Sequence, residues 1–168
     1  MEIWDGYNRD GSLAGVDLIR GQKRPEGLYH LVCDVIVRHM DGDYLLMQRD
    51  FGKKRYGGKF ETGAGGAAIK GEDKWACAKR ELLEETGIRC DEFTEVGMEV
   101  NDDFQTIFYE FICTVDCDKT AITLQEGETI SYKWISEEEF IKFVNSDEMI
   151  ETQKNRYKDY FKKIGYIK

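Results

Sequence analysis

The chain has 168 residues and a mass of 19.5 kDa, the size of a single domain; two independent cores of half that length would each be marginal. Its 41% hydrophobic and 12% aromatic content supplies a packed core and excludes wholesale disorder. Lys and Arg number 24 against 33 Asp and Glu, a net charge of −9, so the basic footprint of a nucleic-acid polymer binder is missing.

The amino end, Met1-Glu2-Ile3-Trp4-Asp5, has neither the basic nor the apolar segment of a secretory signal. No apolar run approaches the ~20 residues of a membrane span, so no membrane partner is expected. Residues 2–20 predict a β-hairpin around the turn formers Asn8-Arg9-Asp10-Gly11, within an N-terminal extension over 1–28. Strands follow at 29–39 and 43–48, joined by Asp41-Gly42. Residues 52–71 are too dense in glycine for either regular element. A helix is predicted from Asp73 to Thr86, ended by Gly87 as a left-handed cap. Further strands are expected at 94–100, 104–115 and 129–135, and Ser136 with Glu139 reads as a helix-starting capping pair. Tyr157, Tyr160, Phe161 and Ile164 predict one amphipathic helix over 148–168, with Lys154, Arg156, Lys158, Lys162 and Lys163 on its solvated face.

The only proline is Pro25, and no linker or repeat divides the chain, so residues 1–168 form one domain. The fold class is α+β: a mixed sheet flanked by helices and preceded by the hairpin. The five cysteines, Cys33, Cys77, Cys90, Cys113 and Cys117, are odd in number and irregularly spaced. They read as reduced thiols packed in the core of a cytoplasmic protein. A homodimer is the ordinary expectation for such a chain.

Chemistry concentrates between residues 63 and 88. Glu81, Glu84 and Glu85 recur at helical spacing and project from one face, where their mutual repulsion costs a few tenths of a kcal/mol per pair, by the rule for isolated helices. A bound divalent cation reverses that sign, and an all-oxygen donor set selects Mg²⁺, Mn²⁺ or Ca²⁺ over zinc. Trp75, Ala78, Leu82 and Leu83 form an apolar stripe for anchoring the helix. Arg80 can fork onto Glu72 and hold loop to helix. The glycines at 63, 65 and 66 let backbone or phosphate approach closely.

The run Gly66, five residues, Glu72, seven residues, Arg80-Glu81-Leu82, one residue, Glu84-Glu85, one residue, Gly87-Ile88 resembles the Nudix box at every fixed position. The resemblance to the Nudix hydrolase superfamily implies an α/β/α sandwich. It also implies Mg²⁺- or Mn²⁺-dependent hydrolysis of a small-molecule diphosphate, typically a nucleoside diphosphate linked to another moiety, by water attack on phosphorus. Carried over by position, Glu81, Glu84 and Glu85 would be metal ligands, Arg80 and Glu72 the supporting ion pair, and Gly66 the loop residue. The family often recruits a further acid from a later loop; here Glu126 and Glu128 stand in that place, and Glu128 is the chosen candidate. Either Glu81 or Glu128 would take the proton from water.

The segment from Arg49 to Lys59 carries Arg49, Lys53, Lys54, Arg55 and Lys59 against Asp50 alone. Arg49 and Arg55 are candidate phosphate contacts together with Gly65 and Gly66, and Tyr56 and Phe60 are either base-stacking or core residues.

The front of the chain is similar to the isopentenyl-diphosphate isomerase branch of the same superfamily, through Ile3-Trp4-Asp5, Asp10-Gly11, Gly15 and Tyr29-His30-Leu31. That branch needs a cysteine and a histidine where this chain has Gly65 and Ala67, which disfavours isomerase activity. A non-catalytic nucleotide-binding module is the third reading, disfavoured by the intact glutamate set. The substrate itself is not legible: the stretch from Ile88 to Phe111 has no proline of the kind associated with ADP-ribose.

Overall fold

The computed structural model describes residues 1–168. The hairpin comes first in the chain, β1 (Ile3–Tyr7) against β2 (Leu13–Ile19), as a separate two-stranded sheet. It joins the body through paired backbone bonds between Tyr7 and Tyr29, each 2.9 Å. The main sheet contains β3 (His30–His39), β4 (Tyr44–Arg49), β5 (Phe60–Thr62), β6 (Ala64–Ala67), β7 (Thr94–Asn101), β8 (Thr106–Val115) and β9 (Thr129–Ile135). The order is β5-β4-β3-β8-β7, with β6 on β3 and β9 on β4. It is mixed: β3 and β8 run parallel from His30↔Thr106 to His39↔Val115, and the other pairs are antiparallel.

The strand β3 reads Leu31-Val32-Cys33-Asp34-Val35-Ile36-Val37, the near-continuous apolar run of a strand covered on both faces. Leu31, Cys33, Val35 and Val37 face a core closed by helix α1 (Lys74–Thr86) through Cys77, Ala78 and Leu82. Ile36 faces a second core closed by α2 (Glu137–Val144) and α4 (Lys158–Lys163) through Phe140, Phe143 and Phe161, and by Tyr157, which joins α3 (Glu151–Arg156) to α4. Three layers result, with the hairpin outside them. No helix is long and apolar enough to cross a membrane.

Four expectations need correction. The glycine-dense stretch 52–71 does hold regular structure, because glycines let β6 lie close on β3, with Cys33 opposite Gly66 and Asp34 opposite Gly65. The carboxyl-terminal segment is two short helices, α3 and α4, broken at Tyr157. The Tyr157 side chain is fully buried, and its hydroxyl lies 2.9 Å from the Asp34 carbonyl and 3.0 Å from that of Phe111, so the tertiary contact overrides helical continuity. Arg156, expected on the solvated face, turns inward to Asp34 at 2.7 Å. On α1, Trp75 is 42% exposed and lies against Phe111, and Cys77 takes the buried place in the stripe.

Candidate active site

Helix α1 is fixed at both ends. The Asp73 carboxylate accepts the Ala76 N–H at 2.8 Å as N-cap, and Gly87 adopts φ 75° while donating its N–H to Leu83. Burial of Ala78 and Leu82 sets the rotation of the helix, so Glu81 and Glu85 lie inward, 9% and 7% exposed, while Glu84 stays in solvent.

Arg80 ties this helix to the preceding loop. Its Nε and Nη2 fork onto Glu72 at 2.7 and 3.0 Å, and Nη2 also reaches the Ala67 carbonyl at 2.9 Å. Its Nη1 donates to Glu81 at 2.8 Å and to Glu84 at 3.0 Å. All five guanidinium N–H donors are thereby committed. The Glu72 carboxylate in turn accepts the Ile69 N–H at 3.1 Å, closing the loop.

The glycines matter here for what they lack. A Cβ on Gly66 would fall inside the Glu81 carboxylate, and one on Gly65 would meet the Cys33 carbonyl oxygen at 2.7 Å. The Gly65 N–H donates to Glu85 at 3.1 Å, so bare backbone both admits and orients the carboxylates. The same clash leaves no room at Gly65 for the cysteine of the isomerase branch.

Glu81, Glu84, Glu85 and Glu128 line one cleft of about 340 Å³, with Gly65, Gly66 and Arg80 in its wall. Glu128 arrives from the loop before β9, held by Lys53 and by its own carbonyl, which accepts the Asp50 N–H at 2.9 Å. Glu126 is exposed and takes no part in the lining. Burial raises the proton affinity of Glu81, and Arg80 opposes the rise. For Glu85 the shift is larger, because burial is compounded by the like charges of Glu61, Glu81 and Glu128.

Arg49 and Arg55 lie elsewhere. They line a second cleft of about 320 Å³ with Tyr56, Phe108 and Arg156, on the far side of the shared Gly65-Gly66 wall. Arg49 is ion-paired there: its Nη1 donates to both Glu61 oxygens at 2.9 and 3.1 Å, and its Nε to the Arg55 carbonyl at 3.2 Å. Phe60 packs against the second core, and Tyr56, 41% exposed at φ 57°, stands at the lip of the second cleft. Sequence reasoning missed Glu61, whose only signal was its place before Gly63, and missed Glu2 and Arg20, which line the carboxylate cleft with no motif to mark them.

No three acidic, histidine or cysteine side chains stand as a preformed coordination group, since Arg80 lies on Glu81 and Glu84 and Lys53 on Glu128. The donor set nevertheless fits a hard divalent cation. It is all carboxylate oxygen, and the Arg80 Nη1 bridging Glu81 and Glu84 shows that positive charge is accommodated there.

A glutamate cluster on a capped helix thus faces a glycine wall in a three-layer sandwich. The family model described as NUDIX domain matches residues 28–160. An uncharacterised Nudix hydrolase of Listeria monocytogenes is 33% identical over 152 residues, 89% of each chain. Among solved structures, the MutT protein of Methanosarcina mazei Go1 superposes with a TM-score of 0.66 at 22% identity, over 86% of this chain and 99% of that one. A Deinococcus radiodurans protein gives a TM-score of 0.68 at 15% identity, over 88% and 91%. The chain belongs to the Nudix hydrolase family.

Proposed function

We propose that this chain is a Mg²⁺- or Mn²⁺-dependent pyrophosphohydrolase, splitting a diphosphate that links a nucleoside or related group to a second moiety by water attack on phosphorus. The observation that carries the reading is the convergence of Glu81, Glu84, Glu85 and Glu128 on one cleft beside a wall without side chains. A divalent cation held by these carboxylates would neutralise phosphoryl charge and acidify the attacking water. The chain supplies the positioning, which is most of what phosphoryl transfer requires. The Gly65 N–H fixes Glu85, Arg80 fixes Glu81 and Glu84, and the Arg80–Glu72 fork keeps the glycine wall in register with the helix. Glu81 or Glu128 accepts the proton of the water. Burial raises the proton affinity of Glu81, with Arg80 opposing, and a base gains from higher proton affinity.

A Mg²⁺-dependent screen of diphosphate compounds with product identification tests this. Hydrolysis should be found, and Glu84→Gln, folded normally by circular dichroism, should lose about 100-fold or more of it. No hydrolysis of any diphosphate would remove the reading, and unchanged turnover in Glu84→Gln would remove that carboxylate from the site.

A further inference from the structure

The matched family domain begins at residue 28, yet the hairpin before it contributes Glu2, Trp4 and Arg20 to the carboxylate cleft. The hairpin is bolted to the box loop. Lys70 donates its backbone N–H to the Ile3 carbonyl at 2.9 Å and its ammonium to Asp17 at 2.6 Å. The Gly71 N–H donates to Asp5 at 2.7 Å, and the Tyr7 hydroxyl reaches the Glu72 carbonyl at 3.3 Å. Trp4 is 6% exposed and stacks on His30, centroids 4.5 Å apart and planes within 14°, so the hairpin wall is rigid where it meets the cleft.

The cations of this cleft are Arg20 and Arg80, against five glutamates. Arg80 has no donor left. Arg20 spends one: its Nη1 donates to Glu2 at 3.0 Å, the other Glu2 oxygen being held by the Trp4 Nε1 at 2.6 Å. Its side chain is 64% exposed, and its remaining N–H groups form the one guanidinium edge in the cleft free to meet an anion. A diphosphate presents more anionic oxygens than a cation at the carboxylates can cover, and a fork-shaped donor suits those left over.

We propose that Arg20 is a substrate-binding residue that takes non-bridging phosphoryl oxygens of the diphosphate, making the hairpin part of the active site. The inference rests on the diphosphate reading of that cleft.

Calorimetric titration with methylenediphosphonate in the presence of Mg²⁺ reads the contact without turnover. Arg20→Ala should weaken binding about 10- to 100-fold, the range for a charged hydrogen-bonding group, and raise KM by a similar factor with a smaller change in kcat. Arg20→Lys should restore part of the loss. Arg9→Ala, on the same hairpin but paired with Asp102, should match wild type. Wild-type affinity in a folded Arg20→Ala protein overturns the inference and leaves the hydrolase reading standing. Wild-type protein that neither binds methylenediphosphonate nor hydrolyses any diphosphate overturns both.

Discussion

Replacing Gly66 by alanine should abolish catalysis while leaving the fold intact. The added Cβ falls inside the Glu81 carboxylate and meets no backbone atom among its three nearest neighbours, so the clash is with the far end of a flexible side chain. The φ of Gly66 lies outside the left-handed region, so alanine brings no backbone strain. Moving Glu81 to another rotamer costs about 0.5–1.5 kcal/mol, and the entropy removed from the unfolded chain returns about 0.4–1 kcal/mol. When Glu81 swings into the open cleft, Arg80 Nη1 keeps Glu84 as partner, so the lost Glu81 bond is partly offset. The net change is about 1–2 kcal/mol, a few °C in Tm for this length. Turnover has no such compensation. Glu81 must leave both its Arg80 partner and the carboxylate cluster, and losing one preorganised group of this kind costs about 100- to 1000-fold in kcat. Gly63→Ala is the contrasting substitution: at φ 58° its Cβ would drive into the Val35 backbone carbonyl, so that protein should lose several °C or fail to fold. Thermal melts read beside Mg²⁺-dependent phosphate release separate the two. A Gly66→Ala protein that keeps its activity within about threefold, by the same turnover scale, would refute the placement of Glu81.

Arg80→Lys should lower kcat/KM by at least about tenfold, because an ammonium cannot reproduce the planar fork on Glu72. Amide hydrogen exchange should rise at Ile69, whose N–H is bonded to that same carboxylate. Glu110 has neither oxygen hydrogen-bonded and is pushed up to about 8 by burial and the neighbouring Asp34 charge, with Arg156 opposing. A raised carboxyl favours the folded state while protonated, so its contribution is complete below the ordinary value of 4.5 and is lost as pH rises to about 8. Across that window, melts of metal-free Glu110→Gln should show a shallower decline than wild type; parallel slopes would contradict the burial argument.

How much of this was legible in the sequence depends on the range of the interaction that decides each feature. Helix α1 was readable because its caps and carboxylates act over three or four residues: Asp73 onto Ala76, Gly87 onto Leu83, and Glu81 beside Glu84 and Glu85. The Ser136–Glu139 capping box was readable for the same reason. The break at Tyr157 was not, since the groups that impose it, the Asp34 and Phe111 carbonyls, lie 123 and 46 residues away. Arg156 looked like a surface charge because its partner Asp34 is 122 residues distant. The pairing of Arg49 with Glu61 was hidden for the same reason in miniature: Glu61 reaches it only once β5 pairs with β4, Met47 opposite Glu61. The hairpin signalled its own existence through Asn8-Arg9-Asp10-Gly11, but nothing local announced that its open end, Glu2 and Arg20, would border the glutamate cluster.

The central claim is that these glutamates bind a divalent cation which a diphosphate then shares. Crystals grown with Mn²⁺ and methylenediphosphonate test it most directly, through the anomalous signal of the metal. The account predicts density between Glu81, Glu84 and Glu85, with Arg80 turned away from at least one of them. An empty cluster under those conditions, or manganese bound only at other sites, would contradict it.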